Sequence, residues 1–270
     1  MRYSDFLEPL QARTALGSLD AVETRDLYFW DDVDGHREPR RLVNHILLYN
    51  PQTRQPVVTA TKLYAVLPHR EAFGRILDMV MGSGGAFPIP RVYVEDLDDQ
   101  ARLWLLFPSD PEEQTIGIRI TNTYDRSVSL QGDLVIWMRP DDYAIVLSRT
   151  EDLGVSPLSL PHRKKAFEHL EKRTAAFIRD ALGGESWMRI EVLIDDAQRD
   201  VFWFESDEEK QECLRGIFGK KLAAQAAGQV PDETNRWDLF CIAARTAHDE
   251  NLTPLMRDVH RQKAEAFLRS

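Results

Sequence analysis

Apolar and polar positions alternate with two different periods along this chain, and the change of period divides it. From about residue 69 to 81 the repeat is helical, with Phe73, Ile76, Leu77 and Val80 at the i, i+3, i+4, i+7 spacing of one buried stripe. Pro68 stands where it opens such a helix. Gly82-Ser83-Gly84-Gly85 ends it, since glycine adopts the positive φ that a helix end requires. From Arg91 to Ser148 the period becomes two. Arg91 to Glu95 and Arg102 to Phe107 flank an acidic turn, and Ile116, Ile118 and Ile120 alternate with Gly117, Arg119 and Thr121. Leu134, Ile136 and Met138 alternate likewise with Val135, Trp137 and Arg139, and Tyr143 to Leu147 follows. Short strands with tight connections predict an antiparallel meander whose apolar face needs a cover.

Pro161 to Leu182 predicts that cover. Phe167, Leu170, Thr174, Phe177, Ile178 and Ala181 share a stripe, Glu168 and Lys172 are spaced to pair outside, and Gly183-Gly184 terminate the helix. Ser186 to Ile194 and Val201 to Phe204 read as two more strands around a turn at Asp195 to Asp200. Ser206 with Glu209 forms a capping box opening a helix to about Ala227, Thr234 caps another, and Thr253-Pro254 begins the last. The first sixty residues read as irregular and partly extended, with a turn at Asp31 to Gly35 and an apolar run, Leu42 to Tyr49, broken by Asn50-Pro51. The predicted class is α+β, an antiparallel β-meander packed by a long helix and followed by a mainly helical C-terminal third. The expected units are an N-terminal arm or subdomain (1–60), an α+β core (61–204) and a helical region (205–270).

Composition narrows the options. The 270 residues are 43% apolar, enough for a core, and no stretch of eighteen apolar residues spans a membrane. The first ten residues lack a basic-then-apolar leader pattern, and two cysteines make no disulfide framework, so a cytoplasmic protein without cofactor is expected. The net charge of −10 argues against a general nucleic-acid coat. Residues 161–185 depart from it, with six basic side chains against four acidic.

Catalytic motifs are absent. No two of the seven histidines have the i, i+4 spacing of a zinc pair, and His162 and His169 read as surface residues of one helix. The Gly82–Gly85 run follows a helix rather than a strand, unlike a phosphate-binding loop, and there is no Gly-x-Ser-x-Gly elbow. The acidic clusters at Asp31 to Asp34 and Asp96 to Asp99 fit no calcium loop. No catalytic or metal residue is assigned.

Two features carry a binding hypothesis. Arg163, Lys164 and Lys165 fall in the first turn of the strongest predicted helix, where the macrodipole disfavours cations. They form either an anion site or internal pairs with Asp141, Asp142, Glu151 or Asp152. The second is Thr121-Asn122-Thr123-Tyr124-Asp125-Arg126-Ser127, either a well-specified hairpin turn or a tip presenting Tyr124 and Arg126 as a stacking ring beside a phosphate-binding fork.

At that hairpin, Ile118 to Ser127 resembles the Asn-Ser-(Tyr/His)-Asp-Gly-Ser motif of the phage/plasmid-like protein family known as domain of unknown function 932. Leu63-Tyr64-Ala65-Val66-Leu67 resembles the family's lead into a helix, and Pro161 to Leu182 its long following helix. Asn235-Arg236-Trp237-Asp238-Leu239-Phe240, with Thr246-Ala247-His248, is similar to its late tryptophan helix. The likeness covers roughly residues 60 to 270. Arg126 replaces the usual glycine, and Leu134 to Arg139 lacks the cysteine and asparagine of the family's next strand. The resemblance implies a phage, plasmid or archaeal mobile-element origin, in a family of unknown activity. The topology is also similar to the core of single-strand annealing recombinases, which implies a homo-oligomer binding single-stranded DNA, in DNA recombination, along a groove between hairpin and helix. By that analogy Arg119, Arg126, Arg139, Arg163, Lys164, Lys165 and Arg173 line the groove, with Tyr124 or Trp137 for stacking. The expected function is therefore a non-enzymatic single-stranded DNA-binding or annealing protein. The rivals are an acidic protein-interaction module, such as a phage regulator or assembly component, and a metal-dependent nuclease.

Overall fold

Pro9 sits at the first position of helix α1 (Pro9–Ala15), where its missing N–H costs nothing. The computed structural model describes residues 1–19, 22–33, 36–97, 100–108, 114–124, 130–139, 141–248 and 251–270, and leaves the side chains of Val33, Lys164, Ala166 and Pro254 outside the description. Strands β1 (Glu23–Val33), β2 (His36–Asn50) and β3 (Gln55–Thr61) follow as an antiparallel sheet in that order. The irregular region expected there is thus largely strand. The β2–β3 connection is a tight turn, in which the Asn50 side chain accepts the Gln52 and Thr53 N–H groups at 2.9 and 3.2 Å and Arg54 takes φ 58°.

Helix α2 (His69–Met81) starts after Pro68 and buries Phe73, Ile76, Leu77 and Val80, as its spacing predicts. The meander is β4 (Arg91–Leu97), β5 (Gln100–Leu106), β6 (Gln114–Thr123), β7 (Leu130–Met138) and β8 (Tyr143–Leu147), each strand paired with the next, while β9 (Ser159–Leu160) pairs with β7. The predicted mixed α+β class holds.

The cover differs from the single helix expected. It breaks into α3 (Lys164–Phe167) and α4 (Leu170–Ala181), with His169 at the N-cap of the second. Glu168 therefore precedes α4, and it is Glu171 that forms an ion pair, reaching Arg75 of α2 at 2.8 Å. Helix α5 (Gly184–Arg199) occupies the segment read as a strand and turn at Ser186 to Asp200. The buried positions Ser186, Ile190 and Ala197 repeat at helical spacing, and Gly183-Gly184 do end the preceding helix, as expected, but a second helix starts at once. Strand β10 (Val201–Trp203) leads to α6 (Asp207–Ala227), where Ser206 Oγ accepts the Glu209 N–H as the capping box predicts. Strand β11 (Glu233–Asn235) pairs with β10. Asn235, not Thr234, caps α7 (Arg236–Thr246), accepting the Asp238 N–H at 2.8 Å, while Thr253 caps α8 (Pro254–Leu268).

Strands β5 to β7 are buried on both faces. Leu103, Leu105, Ile118, Ile120, Leu134 and Ile136 join Phe73, Leu77 and Phe177 in the main core. The opposite face presents Trp104, Leu106, Val135 and Trp137 to Phe6, Tyr3 and Met1 of the N-terminal segment. Gly117 lies on that second face, where a Cβ would stand 2.5 Å from the Leu105 carbonyl oxygen and 2.6 Å from Leu106 Cδ2. Backbone cannot yield that much. Gly117→Ala is therefore expected to destabilise the protein by about 1–3 kcal/mol, read as a lower urea midpoint at unchanged slope.

Candidate nucleic-acid interface

Where β6 runs out beneath the start of α2, alternation points Asn122 and Tyr124 to the face that packs against α2, and both are fully buried. The Asn122 side-chain amide donates to the Leu67 carbonyl at 2.9 Å and to His69 Nδ1 at 2.9 Å. An amide NH2 only donates, so Nδ1 accepts and the His69 proton sits on Nε2. The Tyr124 ring stacks on His69 with centroids 3.8 Å apart, and its hydroxyl accepts the His69 backbone N–H at 2.8 Å. Tyr64 donates its hydroxyl to the Tyr124 carbonyl and stacks on His162, and the Ala65 N–H donates to the His162 carbonyl. Tyr124 is therefore not a projecting tip. It is a buried fastener joining the hairpin strand to α2, and His162 is buried rather than on a helix surface. Burial, reinforced by the proximity of His162, pushes the His69 pKa down to about 3.

The fastener delivers the basic segment to the surface. Arg163 and Lys165 follow the Tyr64–His162 stack and are exposed, as are Lys62, two residues before Tyr64, and Arg70, next to His69. Among the described residues none of these four forms an ion pair. The acids offered as internal partners are mostly engaged elsewhere: Asp141 with Arg245 at 2.5 Å, Asp152 with Arg269 at 3.1 Å, and Asp142 with the Tyr3 N–H at 2.7 Å. The start of α2 adds its positive dipole end, with no side-chain cap on Pro68.

The remaining predicted residues do not converge there. Arg119 and Trp137 lie on the opposite, covered face of the sheet and are buried, which removes them from any surface groove. Arg119 donates to Asp133 at 2.8 Å and to Asp258 of α8 at 3.0 Å. Asp258 also accepts from Arg102, which bonds Glu95 at 3.2 Å, and from Arg261 at 3.4 Å. Burial opposes the charge on Arg119, but Asp133 and Asp258 outweigh it and hold its pKa above the usual value. Arg261 is pushed down to about 10 by burial and by the neighbouring Arg119. Arg139 lies with its guanidinium 4.3 Å from the Tyr3 ring centroid. Arg173, exposed on α4, donates to the Ser159 and Pro157 carbonyls. Arg126, with its neighbours from Asp125 to Ser129, and the Lys164 side chain lie outside the described residues, as do Asp34-Gly35, Asp98-Asp99 and Pro140.

Sequence reasoning missed Lys62, Arg70 and the Arg102–Asp258–Arg261 network. No short-range signal marks the network, since with Glu95, Arg119 and Asp133 its members come from four strands and the last helix. No family model, no curated protein and no solved structure matches this chain. Among the described residues no group of three histidine, cysteine or acidic side chains is placed to hold a metal, and no helix is long and apolar enough to cross a membrane.

Two outcomes follow from these buried charges. Asp258→Ala leaves three buried guanidiniums short of a counter-charge and is expected to cost about 3 kcal/mol or more in urea unfolding. His248, like His69, is held near 3, by burial and then by Arg261. Both histidines are neutral when folded and take up protons on unfolding below about 6.5, so stability is full above that pH and falls as pH drops toward 3. Between pH 6.5 and 4.5, above most carboxylate titration, the melting temperature should decline, and less steeply in His69→Gln.

Proposed function

We propose that the protein binds single-stranded DNA through the surface around Lys62, Arg70, Arg163 and Lys165. One observation carries this reading: in a chain of net charge −10, the exposed cations Lys62, Arg70, Arg163 and Lys165 flank in sequence the residues of the Tyr64–His162 and Tyr124–His69 stacks, and among the described residues none of them forms an ion pair. Nothing in the fold requires that surplus. A flexible phosphate backbone is the ligand class that rewards several separate cations at once. The buried fastener supports the reading further, because it fixes the segment carrying Arg163 against α2 and lowers the entropy lost on binding. No nucleotide hydrolysis and no cofactor are needed for such binding.

Fluorescence anisotropy with labelled oligo-dT tests it. Four phosphate contacts give a slope of about −2 to −3 in log affinity against log salt, at about −0.7 per contact on single strands. Arg163→Glu with Lys165→Glu is expected to weaken low-salt binding at least tenfold. The same charge change at the exposed Lys220 and Lys221 on α6 should have far less effect. Absence of binding at low salt, or equal loss in both variants, overturns the reading.

A further inference from the structure

Strand β1 has a free edge. Its sheet runs β1-β2-β3, so one side of β1 bonds to β2, and among the described residues the other side pairs with nothing. Alternate residues of the eleven turn their N–H and C=O groups away from β2, and these unpaired groups form a template for a further strand. The centre of that strand is Leu27-Tyr28-Phe29-Trp30, and Tyr28, Phe29 and Trp30 are 57%, 43% and 69% exposed. It contains neither proline nor lysine, the residues that commonly blunt an edge.

The other outer edges of the two larger sheets are guarded. On the far side of the same sheet, β3 is seven residues long and carries Pro56. The outer edge of β4 is closed by Leu7, which exchanges two backbone bonds with Val92 at 2.7 and 2.8 Å. Beyond β8, α7 and α8 pack against the strand, and Glu265 accepts the Ser148 and Arg149 N–H groups. An open, long, aromatic edge beside these guarded ones is a surface built to be covered.

From this we infer that β1 pairs antiparallel with β1 of a second copy, about a two-fold axis at Tyr28, joining two three-stranded sheets into one of six strands. Symmetry restricts the register, because a two-fold axis through an antiparallel pair sets one residue opposite itself. Centred on Tyr28, Leu27 faces Phe29 of the other copy, Asp26 faces Trp30 and Arg25 faces Asp31, each pair occurring twice, and the last adds to the exposed pairs that Arg25 makes with Glu23 and Asp31 with Arg40 in the same chain. Centred on Phe29, Asp26 faces Asp32 and Leu27 faces Asp31, which sets like charges together and a carboxylate against an apolar side chain. Centred on Leu27, Glu23 faces Asp31. Among these three, only the Tyr28 register pairs opposite charges and sets no like charges opposite each other. The register break between β1 and β2 falls on the β2 side, which advances five positions, from Arg41 to Ile46, while β1 advances two. The run of β1 itself therefore stays continuous for pairing. Tyr, Trp, Phe and Arg, the residues gathered here, are those enriched in protein interfaces. This inference is independent of nucleic-acid binding, which uses other residues.

Sedimentation velocity and cysteine cross-linking on the full chain test it. A concentration-dependent dimer is expected, and Tyr28→Cys should yield a disulfide-linked dimer under mild oxidation, since residues facing themselves bring their Cα atoms to about 4.5–5.5 Å. Phe29→Cys, and the natural chain with Cys213 and Cys241, should not do so at comparable rate. Arg25→Asp and Asp31→Arg each place two like-charged pairs in the interface and should weaken dimerisation about tenfold, while the double variant restores it. All four positions are on an exposed ribbon, and circular dichroism verifies that each variant folds. A strictly monomeric protein at tens of micromolar overturns the inference, as does cross-linking through residue 29 in preference to 28, or a double variant no better than the singles.

Discussion

A sheet buried on both faces has no solvent to satisfy the polar residues that alternation places on its second side. Along β4 to β7 a single cross-strand row runs Tyr93, Trp104, Arg119 and Asp133, and the next row includes Glu95 opposite Arg102. Once α8 closes over this face, the guanidiniums of Arg102 and Arg119 must find carboxylates inside the protein. Glu95, Asp133 and Asp258 supply them. The ion pairs join β4, β5, β6 and β7 to a helix more than one hundred residues later in the chain, and so tie the end of the chain to its middle. Such networks gain little net energy over an apolar core, but incomplete ones are costly, so the arrangement enforces one docking position for α8.

The same accounting of charge explains the surface. Much of the arginine in this acidic chain is consumed by nearby carboxylates, from Arg13 with Asp78 to Arg269 with Glu265. Among the described residues, Arg163 and Lys165 form no such pair, and Asp141, Asp142 and Asp152 bond to Arg245, the Tyr3 N–H and Arg269. What holds that segment in place is ring stacking and hydrogen bonding: the Tyr64–His162 and Tyr124–His69 stacks, with Asn122 spanning the Leu67 carbonyl and His69. A support without carboxylates does not neutralise the cations, whereas a salt-bridged one would have cancelled them.

The N-terminal region shows how far an edge can be read. Leu42 to Tyr49 is legible as an apolar run, yet that run alone does not distinguish an irregular arm from the middle strand of a sheet. The distinction depends on β1 and β3 arriving on either side, with Leu48 and Ala60 buried at the base and the aromatic stretch of β1 left outside.

Local chemistry by itself determined the α2 stripe of Phe73 to Val80, the alternation of Ile118 and Leu134, the caps at Ser206 and Thr253, and the basic run at 163–165. Each of these signals lies within a few residues, and backbone geometry converts it directly into structure. The tertiary structure decided what those positions face. Alternation assigned Arg119 and Trp137 to the side opposite the main core, where solvent was the natural assumption, and only the closure of α8 and the N-terminal segment buried them. The motif at 121–127 leaves open whether Tyr124 projects, because a turn motif says nothing of what packs above it. Helix α5 follows directly on Gly183-Gly184, because a glycine pair ends one helix without fixing what comes after it. Burial depends on contacts between distant segments, and a local pattern carries no record of those contacts.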